Sequence, residues 1–265
     1  MLGRAVIRLV VASILMAMIG KSAYASEQMD VQQDGRWSVV VSPYIWAASL
    51  SGHGAFGPNE VPARVSFPTI VSNLDLAVMG EVEVTNGRYG VYFDGQYTNA
   101  GKDASIGGLD ARFATTSKMI TVGGFFRAAT FSQSGLTRFG HSREISIEPT
   151  FGFRWTQLIA SVTPMVGQHT SNWIDPFIGL RVNADLSERW TLFSEADIGG
   201  FGAGSRFSTN LQVYAGYRMF LFKQPAIFRV GYRAWYQDYA HGDGGDRFSW
   251  RVTQHGPVVG LSTIF

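Results

Sequence analysis

Apolar and polar residues alternate with period two along most of this chain, in ten runs at about 37–49, 76–85, 89–99, 115–129, 145–160, 172–186, 189–200, 208–222, 226–239 and 248–265. Period two marks a strand whose two faces meet different surroundings. In 76–85, Val78, Val82 and Val84 alternate with Glu81, Glu83 and Thr85. In 89–98, Val91, Phe93 and Tyr97 alternate with Tyr92, Asp94 and Gln96. In 145–156, Ile147, Phe151, Phe153 and Trp155 alternate with Glu148, Thr150, Arg154 and Thr156. In 174–185, Ile174, Ile178, Leu180 and Val182 alternate with Asp175, Arg181, Asn183 and Asp185. Gly, Asn, Asp and Pro break the runs. A helical period is visible only in 66–74, where Phe67, Ile70, Val71 and Leu74 fit one face of a short helix; the stretch reads equally as a small helix in or over the mouth of the fold or as an ordinary ordered loop.

The joins alternate in length. Asn86-Gly87-Arg88, Leu186 to Arg189 and Lys223 to Ala226 are short, whereas 50–75, 100–114, 161–171, 200–207 and 240–247 read as long Gly-rich loops. Short turns at one end and long loops at the other predict an all-β, up-and-down antiparallel transmembrane β-barrel of about ten strands. The join from Phe131 to Arg143 is long for the short-turn end, which leaves eight or twelve strands open.

The first 25 residues change the setting. Arg4 and Arg8 precede an apolar run from Leu9 to Gly20, and Ala23-Tyr-Ala25 is a small-x-small cleavage pattern with Ser26 following. This predicts a secretory signal peptide over 1–25, a short polar arm over 26–36 and a barrel over 37–265. The apolar run is shorter than the roughly 20 residues a membrane helix needs. Formal net charge is +2 and falls to −1 once Arg4, Arg8 and Lys21 are removed, so no basic field for nucleic acid is expected. There are no cysteines, which excludes disulfides, thiol nucleophiles and thiolate metal sites; no cofactor or metal site is expected.

Alternation alone does not say which face is inside. A soluble sandwich buries its apolar face; a membrane barrel turns that face to lipid and the polar one to the lumen. The export signal, the terminal aromatic and a polar face rich in arginine and carboxylate but nearly free of lysine favour the second, since arginine's planar fork suits partly desolvated ion pairs. Trp37, Trp46, Trp155, Trp173, Trp190 and Tyr236 then read as interface girdles. The inward set comprises Glu81, Glu83, Asp94, Glu148, Arg154, Asp175, Arg181, Glu195, Asp197, Arg218, Arg229 and Arg233. Early strands supply acids and late strands arginines, so closure predicts a cross-lumen ion-pair network that blocks a wide channel.

The last strand, Gly256 to Phe265, places Pro257, Val259, Leu261, Thr263 and Phe265 on one face. An apolar edge at the chain end is a hazard unless it pairs, and pairing with the first strand closes a barrel. The chain resembles the small outer-membrane β-barrel proteins of Gram-negative bacteria. The likeness is carried by Ser42-Pro-Tyr-Ile-Trp46, Asn73-Leu-Asp75, Asp175-Pro-Phe-Ile-Gly-Leu-Arg181, Gly199-Gly-Phe-Gly-Ala-Gly-Ser205 and Gln254-His-Gly-Pro257 running to Phe265. The resemblance implies an outer-membrane location and outer-membrane lipid as surroundings. It also implies dependence on periplasmic chaperones and on a barrel-assembly machinery that reads Gly256, Val259, Leu261, Thr263 and Phe265. A monomer is expected. The family carries no agreed activity. The expected role is therefore non-enzymatic, structural or a narrow small-solute pore.

The competing reading is a rim enzyme acting on lipid A, phospholipid or peptide. His53, His169 and His241 fall in the expected outer loops; His169 with Ser171, or His241 with Asp243 and Asp246, would be its residues, while His141 and His255 lie elsewhere. There is no Gly-x-Ser-x-Gly or His-Glu-x-x-His. The 241–246 stretch lacks calcium-loop spacing, and Gly199 to Gly204 reads as a flexible outer loop.

Overall fold

The computed structural model describes residues 35–56, 60–106, 109–163 and 167–265; the expected signal peptide and the Ala25–Ser26 cleavage site lie outside them. In chain order the strands are β1 (Ser38–Trp46), β2 (Ser49–Phe56), β3 (Glu60–Val65), β4 (Leu74–Thr85), β5 (Tyr89–Ile106), β6 (Leu109–Phe126), β7 (Ala129–Leu136), β8 (Ser142–Thr163), β9 (Gly167–Asp185), β10 (Trp190–Gly199), β11 (Phe207–Leu221), β12 (Gln224–His241) and β13 (Phe248–Ile264), with one α-helix among the described residues, α1 (Phe67–Ser72), and a 3-10 turn at Gly244–Asp246. All pairings are antiparallel, and β1 pairs with both β4 and β13, which closes the sheet into a barrel. At the seam Val39 and Phe265 exchange backbone hydrogen bonds of 2.9 Å in each direction.

The thirteen strands make ten staves because two staves are built from two strands each and β3 lies outside the ring, paired with β2 alone. β1 and β2 lie along different parts of β13 in one register, Trp46↔Val258 and then Ser49↔His255. Ala47 bridges them through its amide to the Pro257 carbonyl at 2.8 Å. Gly256 is needed there: a Cβ would lie 2.0 Å from the Ala47 carbonyl oxygen. Likewise β6 and β7 both pair with β8. This accounts for the long 131–143 join. Its first part is β7, and the turn proper is 137–141.

The start of β1, the end of β13 and the joins at 86–88, 137–141, 186–189 and 222–223 lie at one end, called here the terminal end. These turns are chemically specified. Asn86 Oδ1 accepts hydrogen bonds from the amides of Arg88 and Tyr89 at 3.0 and 2.8 Å, and Gly87 takes φ +83°. Phe222 and Lys223 both adopt positive φ, as a two-residue hairpin turn requires. The stretches expected to be long loops at the far end are mostly strand. β5, β6, β8 and β9 run on for 18, 18, 22 and 19 residues, so the described parts of 100–114 and 161–171 are hairpin arms.

One place departs from regular closure. β1–β4 pairing stops at Pro43↔Gly80, where Pro43 has no N–H to offer. Beyond it the free edge of β2 is taken by β3, and α1 follows, hydrogen-bonded to β2 through the Phe67 amide and Ser49 Oγ at 3.0 Å. The helix therefore packs against the wall stave β2 rather than over the mouth, with none of its residues buried.

Most of the barrel is inverted relative to a soluble protein. Val82, Phe93, Phe151, Phe153, Ile178 and Leu180 point outward and are exposed, Phe153 by 63%, while Arg154, Asp175, Asp197 and Asn210 are almost fully buried inside. A belt of apolar side chains around a closed sheet is the surface of a transmembrane barrel. Trp37, Tyr89, Phe126 and Trp190 line the belt toward the terminal end and are exposed. Trp46 and Trp173, expected in the girdles, are instead buried inside, because they share parity with Tyr44 and Asp175.

Candidate functional site

The lumen is crossed by a continuous chain of polar side chains. Arg154 on β8 donates to both carboxylate oxygens of Asp197 on β10, at 3.2 and 2.9 Å. Asn210 on β11 donates to Asp197 at 3.0 Å and accepts from Arg233 Nε on β12 at 2.9 Å. Arg233 reaches Asp94 on β5 at 3.1 Å, and the Tyr44 hydroxyl on β1 donates to Asp94 at 2.6 Å. The guanidinium groups are sandwiched: Arg154 lies 4.9 Å from the Phe177 ring and 5.2 Å from Trp235, and Arg233 lies 5.1 Å from Trp46. Cation–π contact and bidentate pairing offset the desolvation of these buried charges.

A second layer lies toward the terminal end. Arg181 on β9 bonds Glu83 on β4 at 2.7 Å and stands 3.7 Å from Glu195 on β10. Its guanidinium lies over Phe125 at 4.2 Å and against Tyr92 and Phe193, each at 5.2 Å. Gln212 donates to Glu195 at 3.1 Å and accepts from the Tyr214 hydroxyl at 2.8 Å. Below this, Arg127 pairs with Glu144 at 2.6 Å and Glu148 at 3.4 Å, and Arg218 pairs with Asp185.

All twelve charged residues expected in the lumen lie on inward-facing positions, but they do not form one network. Arg154 with Asp197, Arg233 with Asp94, and Arg181 with Glu83 and Glu195 are brought together. Glu148 and Arg218 take partners outside that set, Arg127 and Asp185. Asp175 makes no ion pair among the described residues. Its Oδ1 accepts the Ser205 amide at 2.6 Å and so pins the β10–β11 loop, which reads from sequence as free. Glu81 and Arg229 face a shared cavity and, among the described residues, neither has an ion-pair partner within 4.0 Å. Sequence reasoning missed Arg127, Tyr44 and Asn210. Tyr44 and Asn210 carry the inward parity of their runs and were readable, as Gln212 was on the polar face of 208–219; Arg127 sits in the break between β6 and β7, where parity is lost.

The lumen thus has two unlike ends. Toward the terminal end lies a cavity of about 190 Å³, lined by the ion-paired residues and by Phe139 and His141 of the 137–141 turn. That turn leans across the mouth: the Arg138 amide donates to the Glu188 carbonyl at 2.7 Å, and Phe139 meets Phe220 edge-on at 5.6 Å. Toward the far end Trp173 stacks on Tyr239 at 4.1 Å, with Phe248 and Leu158 beside them. His53, His169 and His241 lie in strands rather than loops. His169 Nε2 is 3.3 Å from Ser171 Oγ, its ring stacked on Phe248 at 5.7 Å; His241 ends β12 and is exposed.

Fold and lumen define the class, a closed ten-stave transmembrane β-barrel with a charge-filled interior. No family model matches the chain, and no curated protein matches it. It is similar to the solved structure of Ail, the attachment invasion locus protein of Yersinia pestis, in complex with the heparin analogue sucrose octasulfate, with 10% identity, 86% of this chain and 98% of that one covered, and a TM-score of 0.35. It is also similar to the transport unit of the autotransporter AIDA-I from Escherichia coli, with 9% identity, 94% and 95% covered, and a TM-score of 0.38. A Pseudomonas aeruginosa FadL homologue aligns at 10% identity over 94% and 96%, with a TM-score of 0.30.

Proposed function

We propose that the chain is a non-enzymatic outer-membrane β-barrel whose lumen is closed at rest, a structural barrel rather than an open porin. The observation that carries this reading is the chain of contacts from Arg154 through Asp197, Asn210 and Arg233 to Asp94 and Tyr44, which spans the interior from wall to wall. Passage of even a small solute requires those buried pairs to part. The apolar belt and the leader expected over 1–25 support the outer membrane as location. Outer-membrane lipid, periplasmic chaperones and the barrel-assembly machinery are its partners in this reading, and it works as a monomer.

Planar-bilayer recording on refolded protein tests the closed lumen. The expected result is no steady conductance; an ohmic open channel from the unmodified chain would contradict it. Refolded protein is also expected to release no fatty acid from phospholipid or lipid A. Release abolished by His169→Ala would overturn the non-enzymatic reading.

A further inference from the structure

Most charged side chains inside this barrel are matched, and one opposite pair is held apart. Glu81 on β4 and Arg229 on β12 line the same cavity, yet among the described residues neither makes an ion pair within 4.0 Å or a side-chain hydrogen bond. On the Glu81 side the intervening inward positions are small: Glu81 pairs in register with Ser42, whose Oγ donates to Ser262 Oγ at 2.9 Å. Arg229 pairs with Gly260, and Tyr44, in register with Gly260, borders the space and turns its hydroxyl to Asp94 at 2.6 Å. Arg229 is steadied by the Tyr214 ring, 5.4 Å from its guanidinium. Phe193 and Tyr214, stacked at 5.8 Å, roof the space, and Val40, Ile227, Ile264 and Phe139 give the cavity an apolar flank toward the terminal end.

We propose that this cavity binds a small zwitterion of the aliphatic α-amino-acid type. The ammonium group lies at Glu81, the carboxylate on the Arg229 fork, and the side chain along the apolar flank. A plain anion meets repulsion from Glu81, and a plain cation meets it from Arg229; a zwitterion satisfies both, and a guanidinium suits bidentate carboxylate binding. The volume of about 190 Å³ is ample, since a cavity of about 150 Å³ admits benzene. The 137–141 turn, leaning over the mouth, covers the route in from the terminal end. This goes beyond the closed-barrel reading and needs only the folded lumen, so conductance and binding fail independently.

The test is titration calorimetry on the full chain refolded in detergent, with the gel shift on boiling as the check of folding. The probes are L-leucine, leucinamide, which lacks the carboxylate, and 4-methylpentanoate, which lacks the ammonium group. Saturable L-leucine binding on the order of millimolar is expected, with both analogues at least about tenfold weaker. Glu81→Gln and Arg229→Gln are each expected to weaken leucine binding about tenfold or more while the folded band persists. The analogue comparison on the unmodified protein decides the question even where a variant fails to fold. Absence of saturable leucine binding, equal binding of leucinamide, or undiminished affinity in both folded variants would overturn the proposal.

Discussion

The two parts of the barrel wall obey opposite rules. In the belt, apolar residues such as Val82 and Phe93 face out and Glu83 and Asp94 face in. Past the belt, on the far arms of the same strands, the pattern turns over. Asn172 and Arg251 face out and are exposed, while Trp173, Leu158, Tyr239, Phe248 and Val252 are buried inside. Strand parity does not change; the surroundings do. Where hydrocarbon lies outside, apolar side chains face it and ionic pairs fill the lumen. Where water lies outside, the interior must be apolar, as in any soluble β-protein.

Removing one partner from the ionic layer breaks the belt region most severely. Asp197→Ala strands the buried Arg154 guanidinium and is expected to cost about 3–5 kcal/mol, read as a lower urea midpoint in detergent. The pair replaced together, Arg154→Met with Asp197→Leu, recovers most of it. Val82→Lys puts a charge into the lipid-facing belt and is expected to cost about 2–4 kcal/mol in a bilayer, measured by unfolding from vesicles. Arg251→Leu alters an outward residue of the far arm. It is expected to change stability by no more than about 0.5 kcal/mol, because its partner Glu60 forms an exposed pair. Equal costs for Val82→Lys and Arg251→Leu in their own directions would erase the distinction between belt and arm.

Much of this was legible in the chain. Period two in ten runs gave the strands, and Asn86-Gly87 and the terminal Phe265 gave a turn and the seam. The residue pattern did not announce where lipid gives way to water, so the arms at 100–114 and 161–171 read as loops and Trp173 as a girdle residue. Within the lumen, parity placed Glu81 and Arg229 inward, but their separation depends on which small residues closure sets between them. Ser42, Gly260 and Ser262 carry no signal until β1 meets β13. The long 131–143 join resisted reading because a single stave is broken at Arg127 and Ala128, and the hydrophobic pattern does not show which side of a break a strand continues on.

The orientation of the belt can be measured directly, since the chain has no cysteines to remove. Spin labels placed singly at Phe93 and at Arg251 in vesicle-inserted protein report collision with dissolved oxygen against a nickel chelate. An inverted belt with a water-facing arm predicts that the label at 93 favours oxygen and the label at 251 favours the chelate. A label at 93 that favours the chelate, or is shielded from both, would contradict it.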